Sequence, residues 1–347
     1  MPNTSVKKKV MKTLVCEQPG TLTYAQREVP VLEQGRAIIK IHRIGICGTD
    51  LHAYEGTQPY FNYPRILGHE LSGELVECDR AIGFHPGQTV TFLPYFNCST
   101  CIACRQGKTN CCASLQVCGV HIDGGMAEYL SVPSGTLIDG TGLNYDELAL
   151  VEPLAIGAHG IRRAEVKKDE FVLVIGAGPI GLGTMEFARI AGGRVIALDI
   201  NEHRLHFCKD KLNIPYTINA LTGQVTDQLM EITQGDMPTV VIDATGSLKA
   251  IDTAFQYIAH GGRYILIGLQ KGDITVSHPQ FHKREATLMS SRNATREDFN
   301  HVISQLKSKN IIPQNYITHR IGFDDLKNSF QRLLDPNNRV IKAMVEI

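Results

Sequence analysis

The strongest chemical signal in the sequence is a run of four cysteines spaced C-x2-C-x2-C-x7-C: Cys98, Cys101, Cys104 and Cys112. Four thiolates at this spacing can close a tetrahedron around zinc, and a site filled entirely by protein ligands leaves no room for a substrate. The spacing therefore predicts a structural zinc site. Cys111 is an alternative fourth ligand, because it directly precedes Cys112.

A second set of ligand types is spread more widely along the chain: Cys47, His69, Glu70 and Glu152. One thiolate, one imidazole and one carboxylate can hold zinc and leave a coordination position for a substrate oxygen, as a catalytic zinc requires. Taken singly, such residues are more often packed in a core. Their local contexts, Gly-Ile-Cys-Gly-Thr-Asp at 45–50 and Gly-His-Glu at 68–70, favour a reaction centre.

A third motif, GxGxxG, consists of Gly176, Gly178 and Gly181 and follows an apolar run. Its glycines allow a tight turn and a close approach of a pyrophosphate to a helix N-terminus. Asp199 ends the next predicted strand, where an acid accepts hydrogen bonds from the adenosine ribose and repels a 2′-phosphate. The motif predicts NAD rather than NADP. The other candidate cofactor contacts are Pro179, Ile180 and Arg204.

These motifs lie on two kinds of predicted architecture. Residues 11–131 alternate short β-rich runs with turn residues, which predicts an irregular, mostly β domain. The strands predicted there are 13–16, 37–41, 71–77, 88–92 and 127–130. Beyond residue 166, apolar strands alternate with amphipathic helices, as in a parallel, doubly wound sheet. The strands predicted there are 171–175, 194–198, 216–218, 240–243, 263–267 and 286–290.

From residue 291 this alternation stops. A helix at 296–308 and strands at 318–321 and 343–347 are predicted, but their spacing alone leaves open which domain they complete. A length of 347 residues is consistent with two domains, and residues 1–10 are expected to form a solvated tail.

Composition excludes several classes of partner. The chain carries 35 basic and 35 acidic residues and has no apolar run long enough to span a bilayer, so we expect neither nucleic acid nor membrane partners. Without an apolar signal segment, we expect a cytoplasmic protein. Most of the ten cysteines cluster at 98–118, which favours metal binding over disulfides; Cys118 lies outside the zinc spacing and is expected to be inert.

With these residues placed, residues 11–347 resemble the zinc-containing medium-chain dehydrogenase/reductase family. The motifs that carry the resemblance are those at 45–50, 68–70, 123–129 and 152–155, the cysteine loop and the glycine-rich turn. The resemblance implies an α/β fold with a GroES-like, mostly β catalytic domain at 11–153, to which 291–347 returns, and a Rossmann NAD-binding domain at 154–290.

Within the family, Glu-Pro at 152–153 resembles the sorbitol and polyol dehydrogenase branch. The stretches at 61–70, 281–283 and 291–295 are similar to bacterial L-galactonate oxidoreductases. This similarity implies that the enzyme oxidises a secondary hydroxyl of a sugar acid or polyol; sorbitol and L-threonine dehydrogenases are alternatives. Arg65, Lys283 and Arg292 are candidates for binding a substrate carboxylate.

The resemblance also implies individual roles. Two zinc ions and NAD are expected per chain, with Cys47 and His69 on the catalytic zinc and Glu70 or Glu152 completing its shell. Asp50 is expected to orient a ligand histidine. A proton relay is expected through Thr49 and His52. The family implies a homodimer or homotetramer. A zinc-binding NAD sensor without enzymatic activity is the alternative from another functional class.

Overall fold

The structure, a computed structural model, describes residues 9–59, 61–79 and 83–347. The chain divides into two compact units. The first contains the described residues of Met1–Glu152 together with Ile312–Ile347, and the second is Pro153–Ile311. Most of the predicted N-terminal tail lies outside the described residues.

The first unit is built mainly from short β-strands. Its strands are β1 (Val10–Gln18), β2 (Thr21–Glu28), β3 (Arg36–Gly45), β4 (Arg65–Ile66), β5 (Glu70–Cys78), β6 (Thr89–Phe92), β7 (Tyr95–Phe96), β8 (Gln116–Val117), β9 (Tyr129–Pro133) and β10 (Leu137–Asp139). Its helices in this stretch are α1 (Gly48–Glu55), α2 (Ile102–Arg105) and α3 (Tyr145–Ala149).

The second unit alternates strands and helices. Its helices are α4 (Val151–Ala164, which begins at the end of the first unit), α5 (Pro179–Ile190), α6 (Glu202–Leu212), α7 (Val225–Ile232), α8 (Leu248–Ala254), α9 (His278–Lys283) and α10 (Arg296–Lys307). Its strands are β11 (Phe171–Ile175), β12 (Arg194–Asp199), β13 (Tyr216–Asn219), β14 (Val240–Asp243), β15 (Arg263–Leu266) and β16 (Thr287–Ser290). The chain ends with β17 (Ile317–Gly322), α11 (Leu326–Leu334) and β18 (Lys342–Glu346) in the first unit.

Strand β3 is central to the first unit. Its large sheet has the order β10-β6-β5-β3-β18-β17, and β9 also pairs with β3. Ile39, Ile41 and Ile44 of β3 are buried in the core that this sheet forms with α11. Because β3 pairs with both β5 and β18, residues from three distant parts of the sequence meet along it.

The six strands of the second unit form one parallel sheet in the order β13-β12-β11-β14-β15-β16. This is the doubly wound order, and it places the glycine-rich turn after the central strand β11. The predicted fold class, a GroES-like unit plus a Rossmann unit, is confirmed. Among the described residues, no helix is both long and apolar enough to cross a membrane.

The segment after residue 290 is divided between the two units. Residues 291–311 stay in the second unit, which extends past the predicted end at 290, and residues 312–347 belong to the first. The physical reason is a polar cluster on α10: Asp298 accepts hydrogen bonds from Arg162 of α4 at 2.8 and 3.0 Å and lies 2.9 Å from His159. These bonds pair a buried carboxylate with a cation of the same unit.

Candidate active site

The first unit brings together Cys47, His69 and Glu70. One potential ligand atom from each lies within 4.8 Å of the other two. Cys47 precedes α1, just after β3, whereas His69 and Glu70 stand at the start of β5. Because Gly45 of β3 pairs with Glu70, the strand register carries these segments to one place.

The donor set fits a zinc ion. Thiolate, imidazole and carboxylate are its usual protein ligands. His69 is 6% exposed, and its Nδ1 atom has no hydrogen-bond partner among the described residues. Burial lowers the pKa of His69, but the negative charges of Cys47 and Asp50 raise it well above its usual value. Negative charges beside His69 thus favour a cation at this position.

Asp50 holds the backbone around these residues. Its fully buried carboxylate accepts hydrogen bonds from the backbone N–H of Cys47 at 2.9 Å and of Gly68 at 3.1 Å. Its distance to Nδ1 of His69 is 3.9 Å, too long for a hydrogen bond. In this structure Asp50 positions the segments that carry Cys47 and His69 rather than the imidazole itself.

Glu70 has a cation partner that the sequence analysis did not identify. Nζ of Lys342, on β18, lies 2.6 Å from both carboxylate oxygens of Glu70 and donates a third hydrogen bond to the carbonyl of Ile46 at 3.1 Å. Lys342 is 2% exposed. The signal that could have found it is a lysine directly before the apolar run Ala343–Val345 of the closing strand.

Glu152 lies outside the three-residue group, although it is also buried. It accepts a short hydrogen bond from the hydroxyl of Tyr95, a second residue that sequence reasoning missed. Burial raises the pKa of Glu152 and of Tyr95. The two candidate carboxylates therefore differ: Glu70 joins Cys47 and His69 and is bound by a lysine, whereas Glu152 is bound by a phenol.

The predicted relay residues lie on α1. Thr49 is half-buried in its first turn, two residues after Cys47. His52 is exposed, and its Nδ1 lies 3.3 Å from the hydroxyl of Thr57 and 3.5 Å from the Glu55 carboxylate. His52 is therefore accessible to solvent in the first unit and has a carboxylate beside it.

The four-cysteine loop closes as its spacing predicts. Sulfur atoms of Cys98, Cys101, Cys104 and Cys112 all lie within 4.8 Å of one another. Cys111 is exposed and is not part of this group, so the structure favours Cys112 as the fourth ligand. The donor chemistry, four thiols without a free position, fits structural zinc.

Hydrogen bonds to sulfur prepare the loop for a metal. The Thr100 hydroxyl donates to Cys98 at 3.5 Å, and the backbone N–H of Cys101 donates to the same sulfur at 3.4 Å. The bonds from Thr100, followed by that from Cys101, lower the pKa of Cys98 to about 5. By contrast, burial raises the pKa of Cys118 to about 12, which keeps that thiol protonated and agrees with its expected inertness.

The glycine-rich turn of the second unit is packed against itself. A Cβ atom at Gly181 would lie 1.8 Å from the carbonyl oxygen of Gly176, so position 181 requires glycine. A Cβ at Gly178 would meet only Arg204, at 3.9 Å, so glycine there leaves open space at the N-terminus of α5. Pro179 and Ile180 form the first turn of that helix. The open space suits a pyrophosphate.

Asp199 ends β12 beside this turn. Its carboxylate accepts hydrogen bonds from the backbone N–H of Ala177 at 2.6 Å and of Asn201 at 2.8 Å. These bonds fix its orientation, and each oxygen keeps a lone pair for a further donor. The arrangement is suited to binding ribose hydroxyls.

The three basic residues considered for a substrate carboxylate differ in their surroundings. Arg65 lies in the first unit with its Nη1 3.4 Å from Asp123, which already provides it with an anion. Lys283 and Arg292 are exposed in the second unit.

Two family models match the chain. The alcohol dehydrogenase GroES-like domain matches residues 33–141, and the zinc-binding dehydrogenase domain matches residues 179–308. These matches cover the regions that hold the two cysteine-containing groups and most of the parallel sheet.

Similar proteins match almost end to end. L-galactonate-5-dehydrogenase of Escherichia coli (strain K12) is 42% identical over 96% of this chain and 98% of its own. Sorbitol dehydrogenase of Halalkalibacterium halodurans is 30% identical over 93% of this chain and 96% of its own. The crystal structure of RspB from Escherichia coli CFT073, complexed with NADH, superimposes with a TM-score of 0.91 at 29% identity, covering 97% and 99% of the two chains.

Proposed function

Because the chain belongs to the family of zinc-dependent alcohol dehydrogenases, we propose that it oxidises a secondary hydroxyl of a sugar acid, with an L-galactonate-like aldonate as substrate and NAD as hydride acceptor. The observation that carries the choice of substrate is the 42% identity with L-galactonate-5-dehydrogenase over nearly the whole chain. A polyol such as sorbitol is the second candidate, favoured by the similarity to sorbitol dehydrogenase.

We assign the catalytic zinc to Cys47, His69 and Glu70, whose donor atoms are grouped in the first unit. Glu152 is the alternative carboxylate ligand. We assign a structural zinc to Cys98, Cys101, Cys104 and Cys112. When bound, zinc lowers the pKa of an alcohol hydroxyl, and NAD accepts the hydride from the carbinol carbon.

The protein residues handle the proton and the cofactor. In this proposal the Thr49 hydroxyl takes up the proton of the substrate hydroxyl as it releases its own, and exposed His52 receives the released proton and passes it to water. The turn from Gly176 to Gly181 binds the cofactor pyrophosphate, and Asp199 binds the adenosine ribose. The product is the corresponding keto acid.

The direct test is NADH formation from a substrate panel at one pH. The panel contains L-galactonate, other aldonates, hexitols, pentitols and L-threonine, and His69→Ala is the control for zinc-dependent turnover. We expect the highest kcat/KM on an aldonate. A preference for sorbitol would transfer the assignment to polyols, and a preference for L-threonine would overturn it.

If the substrate carries a carboxylate, removing the cation that binds it raises KM selectively for acids. Arg292→Ala and Lys283→Ala are compared with Arg65→Ala, whose side chain already faces Asp123. We expect the variant that lacks the binding residue to have a higher KM for aldonates and an unchanged KM for neutral polyols. The family also predicts a homodimer or homotetramer, which sedimentation of the purified protein measures.

A further inference from the structure

Glu70 and Lys342 form a buried ion pair in the first unit. In the large sheet, Gly45 of β3 pairs with Glu70 of β5 on one side and with Met344 of β18 on the other. Lys342 stands two residues from Met344, so their side chains share a face of the sheet. The pair therefore bridges three strands.

Glycine at position 45 makes this bridge possible. A Cβ atom at Gly45 would lie 2.1 Å from Oε2 of Glu70 and 3.0 Å from its Cβ. The Glu70 carboxylate thus occupies the space of the missing side chain on the middle strand. From there it meets Nζ of Lys342 with both oxygens at 2.6 Å.

Lys342 also contacts the segment that leads to Cys47. Its third hydrogen bond goes to the carbonyl of Ile46 at 3.1 Å, the residue directly before that cysteine. All three ammonium donors are used, and the side chain is 2% exposed. A desolvated cation is therefore fixed against a carboxylate whose oxygen also lies within 4.8 Å of the Cys47 and His69 donor atoms.

We propose that Lys342 is a positioning residue of the metal centre. Its ammonium group competes with the zinc ion for the Glu70 carboxylate and so weakens the binding of that carboxylate to the metal. The inference rests on the proposed zinc ligands. Its physical basis is competition: a carboxylate that accepts two charge-assisted hydrogen bonds has less electron density to give to a second cation. The ammonium charge also repels a nearby zinc ion directly.

A purely structural ion pair makes the opposite prediction. Removing one partner of a buried pair leaves an uncompensated charge and destabilises the fold. If Lys342 only supported the sheet, its loss would loosen the site and weaken zinc binding. If it competes for Glu70, its loss strengthens zinc binding at that site.

The experiment measures zinc affinity by competition with a chromogenic chelator, using full-length protein. The ion that His69→Ala fails to bind identifies the catalytic site, and cooperative thermal unfolding verifies that each variant is folded. For Lys342→Met we expect about tenfold tighter zinc, because a nearby positive charge has been removed. Lys342→Arg retains the charge and should stay within about threefold of wild type.

The same measurement in a Glu70→Gln background completes a double-mutant cycle. We expect a clearly smaller gain from Lys342→Met there, because the shared carboxylate is gone and only the direct repulsion between the ammonium group and zinc is left to remove. Equal gains in both backgrounds, or zinc binding in Lys342→Met that is unchanged or weaker, would overturn the inference. Should Lys342→Met fail to fold, Lys342→Gln is measured in its place with the same expected sign. If wild-type protein and His69→Ala bind the same number of zinc ions, the assignment of a zinc site to His69 is itself wrong.

Discussion

The two cysteine-containing groups of the first unit differ in how their ligands are brought together. The four-cysteine loop takes all its donors from one short segment, Cys98 to Cys112, and its sulfurs are oriented by neighbouring backbone and hydroxyl groups. The other group takes Cys47 from the end of β3 and His69 and Glu70 from the start of β5. Its carboxylate is bound by a third strand. A local site can serve stability, whereas a site assembled from distant strands can leave a position open for substrate.

The largest expected effect tests the assembled site. His69→Ala should lower turnover at least about a thousandfold, which corresponds to roughly 4 kcal/mol of activation free energy. The melting temperature should change little, because Nδ1 of His69 has no protein hydrogen bond to lose among the described residues. Steady-state NADH formation and thermal unfolding measure the two effects, and His319→Ala, a half-buried histidine of the same unit, is the control. A large loss of stability would mean that this site, too, is structural.

The next largest effect concerns the proton relay. Thr49→Val keeps the side-chain shape but removes the hydroxyl, and it should lower kcat by about 10²–10³-fold with NAD affinity unchanged. His52→Gln should cost less, about tenfold, because water reaches this exposed position, and the loss should shrink when buffer base is added. Pre-steady-state NADH formation and cofactor titration separate the two parameters. Nearly full activity in Thr49→Val would show that the proton leaves by another route.

The third prediction tests the local site. Cys101→Ser should lower the free energy of unfolding by on the order of 3 kcal/mol, because zinc bound to a closed site contributes to folding. Enzyme that remains folded should keep most of its kcat. Cys111→Ser is the matched control, since that exposed thiol lies outside the sulfur group and should change neither quantity. Denaturant unfolding with zinc analysis measures the effect, and equal destabilisation by both variants would remove the distinction between the cysteines.

The smallest expected effect extends the comparison to the second unit. Asp199→Ala should raise the KM for NAD about tenfold and reduce discrimination against NADP, because like charge no longer opposes a 2′-phosphate. Asp169→Ala, an exposed carboxylate before β11, is the control. Initial rates with both cofactors measure the change. A wild-type protein that already prefers NADP contradicts this assignment of Asp199.

The features that the sequence could predict are those formed by residues close together in the chain, and the features that it could not predict join residues far apart in the chain. The cysteine loop and the GxGxxG turn are encoded in short spacings, and the structure places their members as those spacings require. The parallel order of six strands follows from alternating strands and helices. Each of these features is set by residues that are neighbours in the chain.

The environment of the carboxylates was not predictable in this way. Lys342 reaches Glu70 only because β18 pairs with β3 at Gly45, and no local pattern encodes that register. Tyr95 likewise meets Glu152 through the fold alone. Asp50 was expected to orient a histidine, but tertiary packing directs its oxygens to two backbone amides.

The division of the chain has a consequence for biosynthesis. A ribosome that has made residues 1–311 has synthesised every strand of the parallel sheet, yet the large sheet of the first unit still lacks β17 and β18. Domains usually fold in order of their emergence. Here the second unit can finish first, while the first waits for Lys342. Until that residue emerges, Glu70 has no ammonium partner, so a nascent chain that captured zinc would hold the metal in a different charge environment from the mature protein.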